Sequence, residues 1–398
     1  MHVIATAGHV DHGKSALLRA LTGMEPDRWE AEQRRGLTID LGYVWMRLDG
    51  GERLAFVDVP GHARFVPNML AGVGPVPAVL FVVAADGGWM PQSAEHLAAI
   101  DALGISRGLL AVTRSDLADP GPATDQALAM IGRSSLGQVP AVAVSAVTGA
   151  GLAGLRSALA GLAAGLPSPD DTAPVRIWLD RAFSMTGSGT VVTGTLPAGT
   201  VSRGDELLLT PALRPVRIRA LQSLGESVPM LSGVARAALN LRGVERSAVR
   251  RGMALVRPGE WTLARQADVR IAGGLVAAGR PGDELPPGLT VHVGSARTPA
   301  RVRILGPGLA RLAFRDPLPL HAGDRLLLRD PGTARHSPAL QSPAPHSAAA
   351  QSAAAQSPAA RAPAAGIWGA VVLDLDPPPL GRRGAAAVAA DLACWADP

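Results

Sequence analysis

One lysine, one tyrosine and one cysteine stand in 398 residues. A lone cysteine, Cys394, excludes a disulfide framework within the chain and a zinc site built on several thiolates, and it fits a reducing cytoplasm. Aromatic residues make up 3% of the chain, too few for base stacking to be the main mode of any nucleic-acid contact. No uninterrupted apolar run is long enough to cross a membrane as a helix. The N-terminus runs straight into an apolar, strand-like segment with no signal-peptide pattern. A cytoplasmic chain without a membrane partner is therefore expected, and a monomer. The net charge is only +5, yet the sequence pI is about 10.6, because nearly every basic residue is arginine. Such a field suits an RNA partner, but on charge alone a solvated, arginine-rich surface explains it better.

Against these absences, the one lysine sits in a telling place. Gly8-His9-Val10-Asp11-His12-Gly13-Lys14-Ser15 has the spacing of a phosphate-binding loop. It follows the apolar run Val3-Ile4-Ala5-Thr6-Ala7 and precedes the helix-periodic Ala16, Leu17, Leu18 and Leu21. That is the strand, loop and helix such a loop requires. Glycines let backbone N–H groups curl toward phosphate oxygens, and the helix N-terminus adds partial positive charge. A point charge on a flexible stem reaches between two phosphates where a planar guanidinium does not. Lys14 is expected on the terminal phosphates and the Ser15 hydroxyl on Mg²⁺.

The length predicts roughly two to four domains. Residues 1–166 alternate strand-like and helix-like segments, among them the continuous apolar run 76–84, and read as a doubly wound α/β P-loop domain. A polar, proline-rich linker follows at 167–171. From there short β-branched runs alternate with glycine and proline turns, which predicts all-β barrels at 172–257 and 260–376. Residues 336–365, built from Ala, Ser, Gln and Pro, cannot form a core and read as a disordered insert in the second barrel. GAVVLDL (369–375) reads as a strand resuming after it. Residues 377–398 are expected to be a proline-rich turn and a short helical tail.

Four further segments complete the pattern of a guanine-nucleotide site. Arg35-Gly36-Leu37-Thr38-Ile39-Asp40 follows a polar stretch, and Thr38 stands where a switch threonine gives its hydroxyl to Mg²⁺ and its N–H to a γ-phosphate. In Asp58-Val59-Pro60-Gly61-His62, Asp58 ends a strand and can hold Mg²⁺ through water. Gly61 can bring its N–H to the γ-phosphate, and His62 stands where an attacking water is oriented. Thr113-Arg114-Ser115-Asp116 occupies the place of a base-reading segment. Asp116 can accept from the guanine ring N–H and exocyclic amine, and Arg114 can lie over the base. Thr113, in place of the usual asparagine, should cost some affinity without removing GTP specificity. Finally, Ser145-Ala146 can turn a backbone N–H to guanine O6. The expected ligands are GTP or GDP with Mg²⁺.

Together, GHVDHGKS, RGLTID, DVPGH and Met90-Pro91-Gln92 with Glu95-His96 resemble the translational GTPases related to elongation factor Tu. Within that group the chain resembles the selenocysteine-specific, SelB-type elongation factors. This likeness is carried by DVPGHARFVPNML (58–70), LFVVAADGGWMPQ (80–92), Thr113, LDRAF (179–183) running on to GTVVTGT (189–195), AALNLRGV (237–244) and HVGSA (292–296). The resemblance implies a GTPase that carries selenocysteinyl-tRNA to the ribosome and hydrolyses GTP when the ribosome triggers it. His62 would position water behind a gate of Val10 and Ile39. It also implies an aminoacyl pocket at Asp180, Arg181 and Arg236. A selenol is acidic enough to enter as an anion, so arginines favour it over serine; otherwise Asp180 and Arg181 are a surface pair of little consequence. Bacterial members continue into winged-helix modules that bind an mRNA hairpin, whereas this sequence ends at Pro398, so direct hairpin binding is in doubt. Two alternatives stay open: a non-catalytic remnant that binds GTP or tRNA without mRNA-directed recruitment, and another translation factor of the same GTPase family.

Overall fold

The structure, a computed structural model, describes residues 1–26, 40–60, 68–69, 72, 76–185, 189–272, 285–332, 366–379 and 385–393. The expected insert at 336–365 lies outside these residues.

The first unit is built on β1 (His2–Ala7), α1 (Lys14–Thr22), β2 (Gly42–Arg47), β3 (Arg53–Asp58), β4 (Val79–Ala84), α2 (Pro91–Ala102), β5 (Gly108–Thr113), α3 (Pro120–Ile131), β6 (Ala141–Ala143) and α4 (Leu152–Ala164). Its sheet runs β2-β3-β1-β4-β5-β6. Only the edge strand β2 is antiparallel, joined to β3 by a tight turn. β4 and β5 are buried on both faces, as a continuous apolar run requires in a sheet covered by helices. Alternation sorts the side chains of β1: Val3, Ala5 and Ala7 join one core, while Ile4 packs with Leu17, Leu18 and Leu21 of α1 in the other. Helix starts follow local rules. α2 and α3 carry proline in their first turn, and the Asp119 side chain caps α3 by accepting from Gly121 N–H at 3.0 Å.

The second unit comprises β7 (Arg176–Met185), β8 (Gly189–Leu196), β9 (Thr200–Ser202), β10 (Glu206–Leu209), β11 (Arg214–Ser223), β12 (Glu226–Val228), β13 (Met230–Ser232), β14 (Ala235–Arg242) and β15 (Ala254–Val256). The order β10-β15-β7-β8-β14-β11 closes on itself through a β10–β11 pairing, around a core that includes Val175, Leu179, Leu207 and Leu239. A closed barrel also follows, ordered β16-β19-β18-β17-β20-β21, from β16 (Thr262–Ala272), β17 (Gly288–Val293), β18 (Ala296–Gly306), β19 (Leu309–Leu320), β20 (Arg325–Arg329) and β21 (Ile367–Asp374). The strand after the low-complexity stretch, β21, closes this barrel between β16 and β20. A terminal helix, α5 (Ala385–Ala393), sets Val388, Ala389 and Leu392 on Leu305 and Leu309. The fold is the expected α/β P-loop domain, its sheet mixed through the β2–β3 hairpin, followed by two β-barrels.

Contacts between the units decide where the sites lie. Leu327 and Ile367 of the last barrel enter the core beside α2, and Arg329 pairs with Glu95 at 3.3 Å. Arg176 of β7 grips Asp324 through two hydrogen bonds of 2.6 and 2.8 Å and lies over the Trp261 ring. Where β2 and β3 meet the first barrel, Arg53 holds Glu226 with two bonds of 2.9 and 2.8 Å.

Candidate nucleotide site and interdomain cation cluster

The phosphate loop leaves β1 at Gly8, whose φ of +129° only glycine adopts readily. A Cβ at Gly8 would run into the Val82 carbonyl, so the loop lies hard against β4. Gly13, with φ +75°, turns the chain into α1. The Lys14 ammonium is drawn inside the loop, donating to the carbonyls of Gly8 at 3.0 Å and His9 at 2.6 Å. Ser15 Oγ donates to Asp58 Oδ2 at 2.7 Å, and Thr6 Oγ1 donates to Asp58 Oδ1 at 2.8 Å. The structure thus joins two residues 43 positions apart, both expected on Mg²⁺. A hydroxyl and a fully buried carboxylate facing each other beside the phosphate loop suit Mg²⁺. That ion takes few protein ligands and completes its shell with phosphate and water. Among the described residues there is no cluster of three or more His, Cys, Asp or Glu that could hold a metal by itself.

Two residues of α2 brace the loop from outside. His96 Nδ1 accepts the Gly8 N–H at 3.0 Å, and Gln92 Oε1, one helical turn earlier, accepts the Val10 N–H at 3.2 Å. Burial holds the His96 pKa well below 6.5, and the Lys14 charge acts in the same direction. The ring is therefore neutral, its proton on Nε2 and its Nδ1 lone pair on the loop. His12 is neutral too, lowered to about 3 chiefly by burial and next by His9. It lies 3.3 Å from the Val82 carbonyl through Nδ1, which must carry the proton. The sequence signal for these braces is the i, i+4 spacing of Gln92 and His96 on a helix with a proline start, which alone does not reveal what they touch.

At the base end, Thr113 Oγ1 donates to the His12 carbonyl at 2.8 Å, so the hydroxyl steadies the phosphate loop. Arg114, at φ +57°, reaches Asp86 with bonds of 2.9 and 3.2 Å and the Asp11 carbonyl. Its guanidinium is thereby fixed beside the loop. Ser115 N–H donates to Val144 O at 3.2 Å, bringing the Asp116 turn next to the Ser145-Ala146 turn. Ser145 uses its own N–H on Ala150 O at 2.9 Å, so an amide for a guanine O6 falls to Ala146. Thr38, Ile39, Gly61 and His62 lie outside the described residues.

The three barrel residues of the expected pocket come together against the first unit. Asp180 and Arg236 are both nearly buried and form a two-bond ion pair, one bond of 2.7 Å. Thr193 Oγ1 also donates to Asp180 at 2.7 Å. The Arg236 guanidinium lies 3.7 Å from the ring centre of Tyr43, the chain's one tyrosine, with Arg181 at 5.4 Å from the same ring. Arg181 does not pair with Asp180. Its Nε donates to Asp40 at 3.2 Å and its Nη2 to the Leu41 carbonyl. Tyr43 Oη is buried without a hydrogen-bond partner among the described residues, and burial pushes its pKa up. A surface pair of Asp180 and Arg181 is therefore not what forms. Sequence reading missed Asp40, Tyr43 and Arg251 here, because all three act across a domain boundary.

Residues 1–165 match the family described as elongation factor Tu GTP binding domain, and residues 287–337 match the β-barrel domain of selenocysteine-specific elongation factor. Elongation factor Tu 2 of Streptomyces avermitilis is 31% identical over 67% of this chain and 75% of its own length. The selenocysteine-specific elongation factor of Escherichia coli K12 is 37% identical over 82% of this chain. This chain belongs to the elongation factor Tu family. A crystal structure of a bacterial selenocysteine-specific elongation factor superimposes with a TM-score of 0.78 at 31% identity. It covers 83% of this chain and 56% of the crystallised one. The chain spans about half the length of the E. coli relative, 53%. Among the described residues no helix is long and apolar enough to cross a membrane.

Proposed function

We propose that this chain binds GTP with Mg²⁺, takes up selenocysteinyl-tRNA in that form, delivers it to the ribosome in the cytoplasm, and hydrolyses GTP when the ribosome triggers it. The observation that carries this reading is the meeting of a barrel cation cluster, Arg181 and Arg236, with the strand that follows the switch segment, β2, in one molecule with an intact Lys14–Ser15–Asp58 constellation. Lys14 and the loop amides bind the phosphates. Ser15, Asp58 and Thr38 hold Mg²⁺, which supplies charge neutralisation on the phosphate oxygens. Thr113 and His96 keep the loop in shape. Asp116 and Ala146 read guanine, with Arg114 beside the loop. Gly61 donates its N–H to the γ-phosphate, and His62 orients water for attack. In the barrel, Asp180 fixes Arg236, and Arg181 supplies the charge that prefers a selenolate to a neutral serine hydroxyl.

The test is protection of the aminoacyl ester. Spontaneous hydrolysis of selenocysteinyl-tRNA and of the same tRNA charged with serine is followed with the GTP-loaded protein. Protection of the first only is expected. Equal protection removes the selenolate contact, and protection of neither, with GTP bound, removes the carrier role.

A further inference from the structure

Helix α2 is buried on nearly every side: Gln92, Ser93, His96, Leu97, Ala99 and Ala102 all lie inside. A surface helix buries one stripe, so a helix buried all round is gripped by more than one layer. On one side it faces the phosphate loop, where Gln92 and His96 take the Val10 and Gly8 amides. On another it faces the last barrel. Leu327 of β20 and Ile367 of β21 share a buried core with Leu97 and Ile100. A Cβ on Gly369 of β21 would lie 2.2 Å from the Ala102 carbonyl oxygen, so the strand backbone rests on the last turn of the helix. Such contacts hold the helix on the barrel but have no preferred direction. The directional contact is at Glu95. Arg329 Nη2 donates to Glu95 Oε1 at 3.3 Å, between side chains 17% and 19% exposed. Burial raises the Glu95 pKa, and the Arg329 charge opposes that rise. The neighbouring His292 is held to about 3 chiefly by burial, so it is neutral and sets no like charge against Arg329.

We propose that Arg329 of the last barrel is a positioning residue for the nucleotide site, acting through Glu95 and α2 on the Gly8 and Val10 amides. This rests on the reading of the Gly8 to Ser15 loop as one that binds a guanine nucleotide. Glu95 directly precedes His96 and stands three residues after Gln92, so a bond that fixes Glu95 fixes the height and rotation of the turn that carries both braces. A helix advances about 1.5 Å and turns about 100° per residue. A slip by a single residue's rise would therefore take His96 Nδ1 and Gln92 Oε1 out of hydrogen-bond geometry with the loop. Among the described residues Arg329 makes no hydrogen bond to the loop itself; its influence passes through the helix. GDP and GTP feel it alike, because the two amides belong to the loop that both use.

The test uses the full chain. Arg329→Gln removes the charge, Arg329→Lys keeps it, and Glu95→Gln breaks the same pair from the helix side. Fluorescent GDP and GTP are titrated, their dissociation is followed by displacement with unlabelled nucleotide, and urea midpoints establish that each variant is folded in the assay. Arg329→Gln and Glu95→Gln should each weaken both nucleotides by about fivefold, chiefly through faster dissociation. The ratio of GDP to GTP affinity should stay within about twofold of the parent, and lysine, which can make the same single bond, should recover most of the loss. In a His96→Ala background Arg329→Gln should add less than about twofold, since a brace it positions is already gone. Parent-like affinity in either single variant overturns the proposal. So does a loss that lysine does not repair, or one that multiplies in full with His96→Ala, which would put Arg329 on a separate path. A parent chain that binds neither nucleotide removes the loop reading, and the positioning role with it.

Discussion

Replacing His96 by alanine removes the acceptor on which the Gly8 N–H rests at 3.0 Å, in a site where the ring is 1% exposed. Water cannot substitute freely there, and a buried donor left without a partner costs about 1–3 kcal/mol. Gly8 cannot easily turn its amide elsewhere, because its backbone lies against the Val82 carbonyl. The loop therefore loses one of its two ties to α2, Gln92 on the Val10 N–H remaining, and nucleotide binding must restore the lost order. At about 1.4 kcal/mol per factor of ten, GTP and GDP should each bind about tenfold more weakly. The two should weaken together, since both use the same loop. Guanine selectivity should not move, because Asp116, proposed to read the base, stands on the turn after β5 and not on the phosphate loop. Asparagine at position 96 can present Oδ1 where the imidazole presents Nδ1, and should recover most of the loss. Fluorescent GDP and GTP titrations on the parent, His96→Ala and His96→Asn proteins measure this. Parent-like affinity in His96→Ala, or a loss that asparagine does not repair, would show that the histidine fills space and does not order the loop.

Asp180→Ala strands a buried guanidinium and should destabilise the fold by about 3 kcal/mol. The double variant with Arg236→Ala should cost less than the sum of the two singles, and denaturant unfolding of the four proteins tests this. Acid should act through the buried histidines. His12 and His292 are each lowered to about 3, mainly by burial, and His96 is lowered as well. Below pH 6.5 the unfolded chain takes up protons that the folded sites refuse, so stability is fully present above that pH and falls as the pH drops toward the folded values. By pH 5 the loss should reach on the order of 2 kcal/mol for each of His12 and His292. Urea midpoints at pH 7 and 5 should separate accordingly, and His292→Gln should flatten the slope. An unchanged slope in that variant would remove His292 from the account.

Several features are legible in the sequence because they are local. The phosphate loop declares itself by glycine spacing between an apolar strand and a periodic helix. The barrels show as β-branched runs between turns, and β21 is recognisable as a strand on its own residues. Other roles have no local signature. His96 lies 88 residues from the amide it receives and Asp40 lies 141 residues from Arg181, and neither period nor propensity encodes such a meeting. Thr113 reads in sequence as a weaker base contact, while in the fold it holds the phosphate loop.

The sequence by itself determined which chemical groups this protein brings to its proposed sites: one lysine in a glycine loop, a serine after it, aspartates after strands, and arginines in place of aromatics. Tertiary structure alone decided which charges are committed and which can be exchanged. Arg236 is sealed with Asp180 inside a barrel, where separation would strand a charge in low dielectric. Arg181 meets its carboxylate across a domain boundary, partly in water, where partners can change. The two residues are the same in chemistry and differ only in what the packed chain places around them.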